Sequence, residues 1–499
     1  MEFDMHVDSL GQVEDIFTFY KFLCEENGIS NAILLESVQE ESHASLYSFI
    51  CAQPDFLLQI NGKRATIRDV TSERGEILKE QIQSRDEDPF PPVQQVFKDE
   101  VQYHMPAFDL IKRHFPYSKT QFPEIFPRHL FYGGLVGYIG YDVVAPWVKY
   151  TPKREFPDAI LAMATKVLVY SHESRALFQI DNALNDYQPP VAMRELVQKF
   201  TSKTTDKSGK SKKGFQVPEE IDTSKFQSNM DQDQFQNIIE RAKENIVRGD
   251  VTQVVLSRKL RLESSASPMS VYQALRSMNP SPYMYFLNLN GCKIIGSSPE
   301  ALVTVDRGVC ETVPIAGTRR RGKTEEEDLK FEKELMADPK EAAEHIMLVD
   351  LARNDLAKIS VPGSVDTYET MRLRRYKDVM HIISKVRSRT NFHGVDVLKS
   401  MFPAGTVSGA PKLRAMEIIR DLEPESRGPY AGVVGYFALN GDCDWAIAIR
   451  SLFVKNQTYT GQAGAGIVAD SDPRLEWIET RNKLGSVLKS VIVAEANEK

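Results

Sequence analysis

"YGGLVGYIGYD" (residues 132–142) and "YAGVVGYFALN" (residues 430–440) carry tyrosine, glycine, valine, glycine and tyrosine at the same spacing, far apart in the chain. Glycines at such points inside strand-like runs mark places where another backbone comes close. Two explanations stand side by side, a chance likeness of two Gly-rich strands and an old duplication. Upstream, strand-like runs such as "NAILLES" and "KVLVYS" accompany helical ones such as "VEDIFTFYKFLCEEN". Hairpin-like strand pairs prevail over a strict alternation of strand and helix. That pattern predicts an α+β fold of antiparallel sheets instead of a doubly wound parallel sheet.

At 499 residues the chain exceeds one ordinary domain. The clearest break is "TSKTTDKSGKSKKG" (residues 201–214), which has no aliphatic or aromatic side chain and cannot bury a core. A flexible linker is therefore expected at residues 201–216, between an N-terminal region 1–200 and a C-terminal region 217–499 that holds most of the polar motifs. The formal charge of -7 argues against a nucleic-acid partner, whose binders are usually basic. No apolar run approaches the roughly 18 residues of a membrane span, and no signal-peptide pattern opens the chain. A cytoplasmic protein with no membrane contact is expected. The five cysteines are scattered without a C-x-x-C pair, so neither a disulfide framework nor a zinc knuckle is expected.

Two glycine motifs fail as nucleotide sites. "GAGIVA" (residues 464–469) matches the dinucleotide fingerprint, but the acid expected about 20 residues on is missing. "GTVSGAPK" (residues 405–412) lacks the order of a phosphate loop and has no Ser or Thr after Lys412. What survives from both is a set of backbone amides suited to a carboxylate. In "VPIAGTRRRG" (residues 313–322) the arginines Arg319, Arg320 and Arg321 are followed at once by "KTEEED", which cancels their charge and predicts a solvated loop. The small, apolar "PIAGT" before them asks for another explanation.

The strongest signal lies in two distant stretches, "ADPKEAAEHIMLVDLARND" and "SDPRLEWIETRNK". Each opens on Asp-Pro, an N-cap acceptor followed by a proline at the first helical position. Glu341 and Glu344 in the first, and Glu476 and Glu479 in the second, are three residues apart and share a helix face. Two readings stay open. Glu341 could close a capping box and the others could be surface acids near a favourable dipole end; or the two pairs could share a divalent cation with oxygen preference, such as magnesium. Candidate cations are Arg450 in "AIAIRSLF", costly inside an apolar strand unless paired, and Lys483 in "ETRNK". His381 in "VMHIISKV" reads as a strand histidine.

Taken together, "PIAGTRRRG", "EHIMLVDLARND", "GTVSGAPK" and "AGAGIVADSDPRLEWIETRNK" resemble the chorismate-utilising enzymes, and among them the anthranilate synthase component I group. The resemblance covers nearly the whole chain and implies a two-domain α/β sandwich of antiparallel sheets flanked by helices, with chorismate and Mg2+ in a cleft. It implies Glu344 and Glu479 as direct magnesium ligands and Glu341 and Glu476 as acids acting through water. Tyr430, Arg450 and Lys483, helped by the amides of Gly464, Ala465 and Gly466, would bind substrate carboxylate. Thr406 would line the pocket, Glu300 in "GSSPE" would act as the acid under the departing C4 hydroxyl, and His381 would serve pyruvate elimination. Ala316, Gly317 and Thr318 would form a pocket wall. Related aminodeoxychorismate synthases are expected to carry a nucleophilic lysine where Ala316 stands, and isochorismate and salicylate synthases a lysine base where Gln253 stands.

The resemblance further implies a partner. No glutaminase nucleophile elbow occurs in the chain, so ammonia would come from a separate glutamine amidotransferase subunit, component II, in a heterotetramer. It also implies tryptophan as feedback inhibitor, held by Glu36 and Ser37 of "LLES" and by Asn279, Pro280, Ser281, Tyr283 and Met284 of "NPSPYMYF". Two competing expectations remain, an aminodeoxychorismate synthase component and a non-catalytic tryptophan-sensing scaffold.

Overall fold

The computed structural model describes residues 3–37, 46–83, 94–97, 100–102, 105–115, 130–184, 189–206, 225–375 and 379–498. Alternating side chains in the strands bury apolar residues on opposite faces. Ile33 and Leu34 are neighbours on one strand, yet Ile33 belongs to the core between two sheets and Leu34 to a second core beneath the helices. That second core joins Phe17, Tyr20 and Tyr272 to Leu484, Val487 and Val491 of the last helix, Pro473–Glu498. The result is two packed sheets flanked by helices, the α+β sandwich expected from the sequence.

The first sheet runs Asp4–Gln12, Ala176–Ala183, Lys166–Ser171, Tyr47–Cys51 and Ile33–Glu36, then continues with Tyr283–Leu289, Cys292–Ser298, Ser451–Lys455, Thr458–Ile467, Gln253–Glu263 and Gln227–Ser228. The second runs Ile315–Arg320, Val379–Arg389, Val309–Thr312, Ala301–Asp306, Cys443–Ile447 and Val433–Ala438, then Gly134–Ile139, Ala159–Ala164, Phe56–Asn61, Arg64–Arg68, Glu100–Gln102 and Gln94–Phe97. Neighbouring strands are antiparallel, at the seams as elsewhere. Each sheet takes one side from the N-terminal half and the other from the C-terminal half. The boundary between the halves is therefore a seam through both sheets.

At one seam the two echoing stretches lie side by side. Gly134–Ile139 pairs with Val433–Ala438, and the equivalent glycines Gly137 and Gly435 are direct partners. An antiparallel pair in which equivalent residues face each other has a local two-fold axis between them. The glycines are needed because a Cβ at Gly137 would sit 2.1 Å from the Ile160 carbonyl oxygen, and one at Gly435 2.0 Å from that of Asp444.

The symmetry extends outward. In the first sheet, Ile33–Glu36, Tyr47–Cys51, Lys166–Ser171, Ala176–Ala183 and Asp4–Gln12 leave the seam in the same chain order as Tyr283–Leu289, Cys292–Ser298, Ser451–Lys455, Thr458–Ile467 and Gln253–Glu263. Helix Ile16–Lys21 occupies the place in one half that Pro268–Met278 has in the other, and Val191–Asp206 the place of Pro473–Glu498. One strand order is used twice, which favours duplication over chance as the source of the echo.

The stretch read as a linker from residue 201 begins inside helix Val191–Asp206. Its hydroxyls explain the misreading: Thr201 Oγ1 donates back to the Val197 carbonyl at 2.6 Å, so a polar composition is carried by a helix face that needs no apolar side chain. The remainder of that stretch, from residue 207 to 216, lies outside the described residues. Among the described residues no helix is long and apolar enough to cross a membrane. All five cysteines are free, and Cys51, Cys292, Cys310 and Cys443 are buried.

Candidate active site

Both Asp-Pro signals open helices. Asp338 accepts from the amides of Lys340 at 3.0 Å and Glu341 at 3.4 Å, and helix Pro339–Ala357 follows. Asp472 caps Pro473–Glu498 through the amides of Arg474 at 2.8 Å and Leu475 at 3.0 Å. The four glutamates on these helices form one electrostatic neighbourhood. Glu344 accepts from Gln253 Nε2 at 3.2 Å, and its carboxyl is raised by burial and then by the charges of Glu341 and Glu479. Glu476 is raised to about 7, first by burial and further by Glu479. Glu479 is paired with Lys483 Nζ at 2.6 Å.

The arginines after "PIAGT" are not a solvated loop. Arg319 and Arg320 end strand Ile315–Arg320 and Arg321 follows it; Arg319 bridges Asp338 and Glu341, both at 3.0 Å. Arg321 pairs with Asp328 at 2.6 Å, and Arg320 lies over the ring of Phe331. Arg321 thus finds its acid in the following "KTEEED", as local charge cancellation expects, but the acids that hold Arg319 lie at the start of a later helix, which local counting does not reach. Glu341 is likewise engaged by Arg319, beyond what a capping box requires.

These side chains fit a magnesium ion by chemistry. The donors are carboxylate oxygens, and the mutual repulsion at Glu344 and Glu476 is what a divalent cation relieves. Among the described residues no three His, Cys, Asp or Glu side chains converge as a ready cage. Lys483 and Arg319 hold two of the four acids instead.

A second wall adjoins the acids through Lys483. Arg450 was expected inside a strand; it stands between Cys443–Ile447 of one sheet and Ser451–Lys455 of the other, at φ +52°. The apolar run ends where the chain crosses between sheets, so alternation alone placed Arg450 one element too far into a strand. Burial holds its guanidinium below its usual range, while Tyr430 and Glu479 oppose that effect. It donates to the Lys483 carbonyl at 2.8 Å, and Lys483 Nζ donates to the Gly464 carbonyl at 3.0 Å. A Cβ on Gly464 would meet the Tyr430 hydroxyl at 3.0 Å, and one on Gly466 the Gln253 amide at 2.5 Å. Both glycines, with Ala465 between them, sit in strand Thr458–Ile467, beyond Gly461, where its pairing with Ser451–Lys455 stops.

Glu300 is buried nearby, within reach of the Lys483 charge. Burial lifts its carboxyl to about 7, against the lowering effect of a hydrogen bond from Thr406 at 2.9 Å and of the Lys483 charge. His381 is in strand Val379–Arg389, opposite Thr318. Its Nδ1 lies 2.9 Å from the Gly317 carbonyl and 3.0 Å from the Thr318 hydroxyl. Burial lowers its pKa, and Arg450 and Lys483 lower it further. A register break between Ala316 and Thr318, with Gly317 at φ +67°, turns the Gly317 carbonyl to the imidazole. Ala316 is buried beside Ile382.

Lys412 of "GTVSGAPK" is committed to structure. It is buried against Asp355 and donates to the Met401 carbonyl at 2.6 Å, and the second ion pair behind the site joins Arg427 to Glu423 at 2.5 Å. Sequence reading missed Asp355, Arg427 and Glu423; isolated charges in polar contexts carry no local sign of burial.

The residues singled out for tryptophan meet elsewhere, at the seam of the first sheet. Glu36 faces Met284, is fully enclosed, and accepts from Tyr272 at 2.5 Å and Arg276 at 2.9 Å. Ser297 Oγ bonds Ser281 at 2.8 Å and the Asn279 carbonyl at 2.5 Å, and Pro280 joins these two residues ahead of Tyr283. The Ser37 hydroxyl is buried without a hydrogen-bond partner.

Residues 49–489 match the model of a family described as chorismate binding enzyme. The chain is 40% identical to anthranilate synthase component 1 of Aquifex aeolicus over 95% of its own length and 92% of that protein's. With the Pseudomonas putida protein of the same name it shares 39% identity, over 93% and 91%. A crystal structure of anthranilate synthase component I from Streptococcus pneumoniae superposes with a TM-score of 0.70 at 33% identity, over 90% of this chain and 94% of that one. A menaquinone-specific isochorismate synthase from Escherichia coli, at 18% identity and a TM-score of 0.64 over 98% and 95%, shares the fold. The paired acids, the cationic wall and the enclosed Glu300 thus sit in a chain that belongs to the chorismate-binding enzymes.

Proposed function

We propose that this enzyme converts chorismate and ammonia into anthranilate, pyruvate and water, as the name of its relatives suggests. The observation that carries the reading is Glu300, an enclosed carboxyl half-protonated near neutral pH, within the electrostatic reach of the one lysine that also touches Glu479 and the Gly464 carbonyl. Arg450, Tyr430 and the Gly464–Gly466 backbone bind carboxylate, and Lys483 links this wall to the helix that carries Glu476 and Glu479. Glu344 and Glu479 would hold magnesium directly, with Glu341 and Glu476 acting through water. Bound magnesium would stabilise negative charge on the ring carboxylate of chorismate.

Glu300 delivers its proton to the C4 hydroxyl, which leaves as water while ammonia attacks C2. The Gly317 carbonyl can only accept, so Nδ1 of His381 carries the proton and Nε2 is the basic nitrogen. A neutral imidazole of that tautomer is suited to take a proton during loss of the enolpyruvyl group as pyruvate. Ala316 supports this reading over an aminodeoxychorismate synthase because it offers no amine. Ammonia would come from a separate glutaminase subunit in a heterotetrameric, cytoplasmic complex. Tryptophan would inhibit by filling the seam around Ser37, Asn279 and Met284, favouring a less active population.

The test mixes purified chain with chorismate, magnesium chloride and ammonium chloride, and follows anthranilate fluorescence and pyruvate together. Equal amounts of both support the proposal. An amino product without pyruvate refutes the elimination step, and untouched chorismate refutes the enzymatic reading in favour of the scaffold.

A further inference from the structure

A buried ion pair stands directly behind the substrate-side wall. Arg427 is 2% exposed, and donates to Glu423 through Nε at 2.9 Å and Nη2 at 2.5 Å. The same guanidinium donates through Nη1 to the Val407 carbonyl and through Nη2 to the Val255 carbonyl, both at 2.7 Å. Glu423 Oε1 also accepts from the amide and the hydroxyl of Ser257, each at 2.8 Å. The guanidinium lies 4.7 Å from the ring centroid of Tyr141 and 5.6 Å from that of Tyr430.

The endpoints of this network are the immediate neighbours of the site. Val407 follows Thr406, the partner of Glu300. Val255 pairs with Gly466 and Ser257 with Gly464. Tyr430 receives the cation on its ring. A planar fork is what lets one side chain tie these segments at once, and a lysine ammonium does not reproduce it. Burying two charges is also costly, so stability alone gives little reason to keep them there.

We propose that Arg427 and Glu423 are a positioning pair that fixes the distance between the Thr406–Glu300 acid and the wall formed by Tyr430, Gly464 and Gly466. This inference rests on the proposed chorismate chemistry. The pair touches no reacting atom; it holds the proton donor and the carboxylate anchors in one register, so that the C4 hydroxyl of an anchored substrate meets Glu300.

The experiment measures kcat and KM for chorismate with ammonium chloride, each protein assayed well below its own unfolding midpoint. The proteins are the wild type, Arg427→Lys, the double variant Arg427→Gln/Glu423→Gln, Ser257→Ala, and Arg74→Lys as comparator. Arg74 ties segments of the N-terminal half through Nη1, which donates to Asp181 at 2.6 Å, Thr165 at 2.9 Å and the Asn182 carbonyl at 3.1 Å. Arg427→Lys and the double variant are expected to lose roughly 10- to 100-fold in kcat with a smaller change in KM, the penalty of a misplaced reactant. Ser257→Ala shifts the same way by less, and Arg74→Lys lowers the midpoint but leaves kcat unchanged. A folded Arg427→Lys or double variant with wild-type kcat overturns the proposal; if neither folds, an unchanged kcat in Ser257→Ala overturns it. Absence of anthranilate in the wild type refutes the chorismate reading itself, which the ratio between variants does not address.

Discussion

The two halves of this molecule share one strand order and differ in how they treat buried charge. In the N-terminal half the enclosed Asp55, Asp158 and Asp181 are answered by side chains of that same half: Asp55 by Thr165 at 2.7 Å and 2.9 Å, Asp158 by Arg154 at 2.8 Å, Asp181 by Arg74 at 2.6 Å. In the C-terminal half Glu344 and Glu476 are pushed up by burial and by other glutamates, and burial lifts Glu300 to about 7. Answered charges make structure. Acids left in mutual repulsion beside a cationic wall make a site that a ligand can complete.

The comparison breaks most easily at the acids. Glu344→Ala or Glu479→Ala should cost about 10³-fold or more in anthranilate formation, an effect of the size seen when electrostatic stabilisation of a transition state is removed. Circular dichroism should show both variants folded. The matching change in the other half, Asp55→Ala, should cost about 1–3 kcal/mol of stability through orphaned donors and leave kcat alone. Wild-type rates in both glutamate variants would refute the metal assignment and the contrast with it.

Glu300→Gln should reduce turnover by roughly 10²- to 10⁴-fold, the usual range for a lost general acid. Wild-type activity should decline above pH about 7, where Glu300 gives up its proton, and that limb should vanish from the residual activity of the variant. The stability sign is the opposite of an ion-paired acid's. A folded-state value raised from 4.5 to about 7 means the folded protein holds more protons, so its contribution falls as pH rises through that window. Denaturant melts of Glu300→Gln should lack this loss.

At the seam the halves should respond alike. Gly137→Val and Gly435→Val each drive a side chain into a facing carbonyl, and each should cost about 3 kcal/mol or more. A tolerant seam in only one half would show that the two-fold arrangement is not what demands the glycines. The smallest effect is expected at Ser37. Ser37→Ala should preserve kcat and weaken tryptophan inhibition about fivefold, the equivalent of one modest hydrogen bond. An unchanged inhibition curve would remove Ser37 from the inhibitor site.

Much of the fold was legible because its signals are local. "KVLVYS" is the strand Lys166–Ser171, and the two Asp-Pro caps open the helices they announce. The glycine echo pointed to close backbone approach, which the facing carbonyls bear out. What failed were inferences from composition. Polar residues 201–206 continue a helix, and Arg319 is bound by acids of another segment. Arg450 sits at the crossing between sheets because periodicity has no view of where a strand changes sheet.

The sequence by itself determined the helix starts, the shared faces of the paired glutamates, the antiparallel class and, through its motifs, the resemblance to chorismate-utilising enzymes. Those properties depend on residues within a turn or a few strand positions of one another. Tertiary structure alone decided that the echoing strands are partners across a two-fold seam, that Lys483 joins Glu479 to the Gly464 carbonyl, and that Arg427 ties Val407 to Val255. Burial and charge pairing depend on which distant segments meet, and pKa follows from them; no local pattern encodes that meeting.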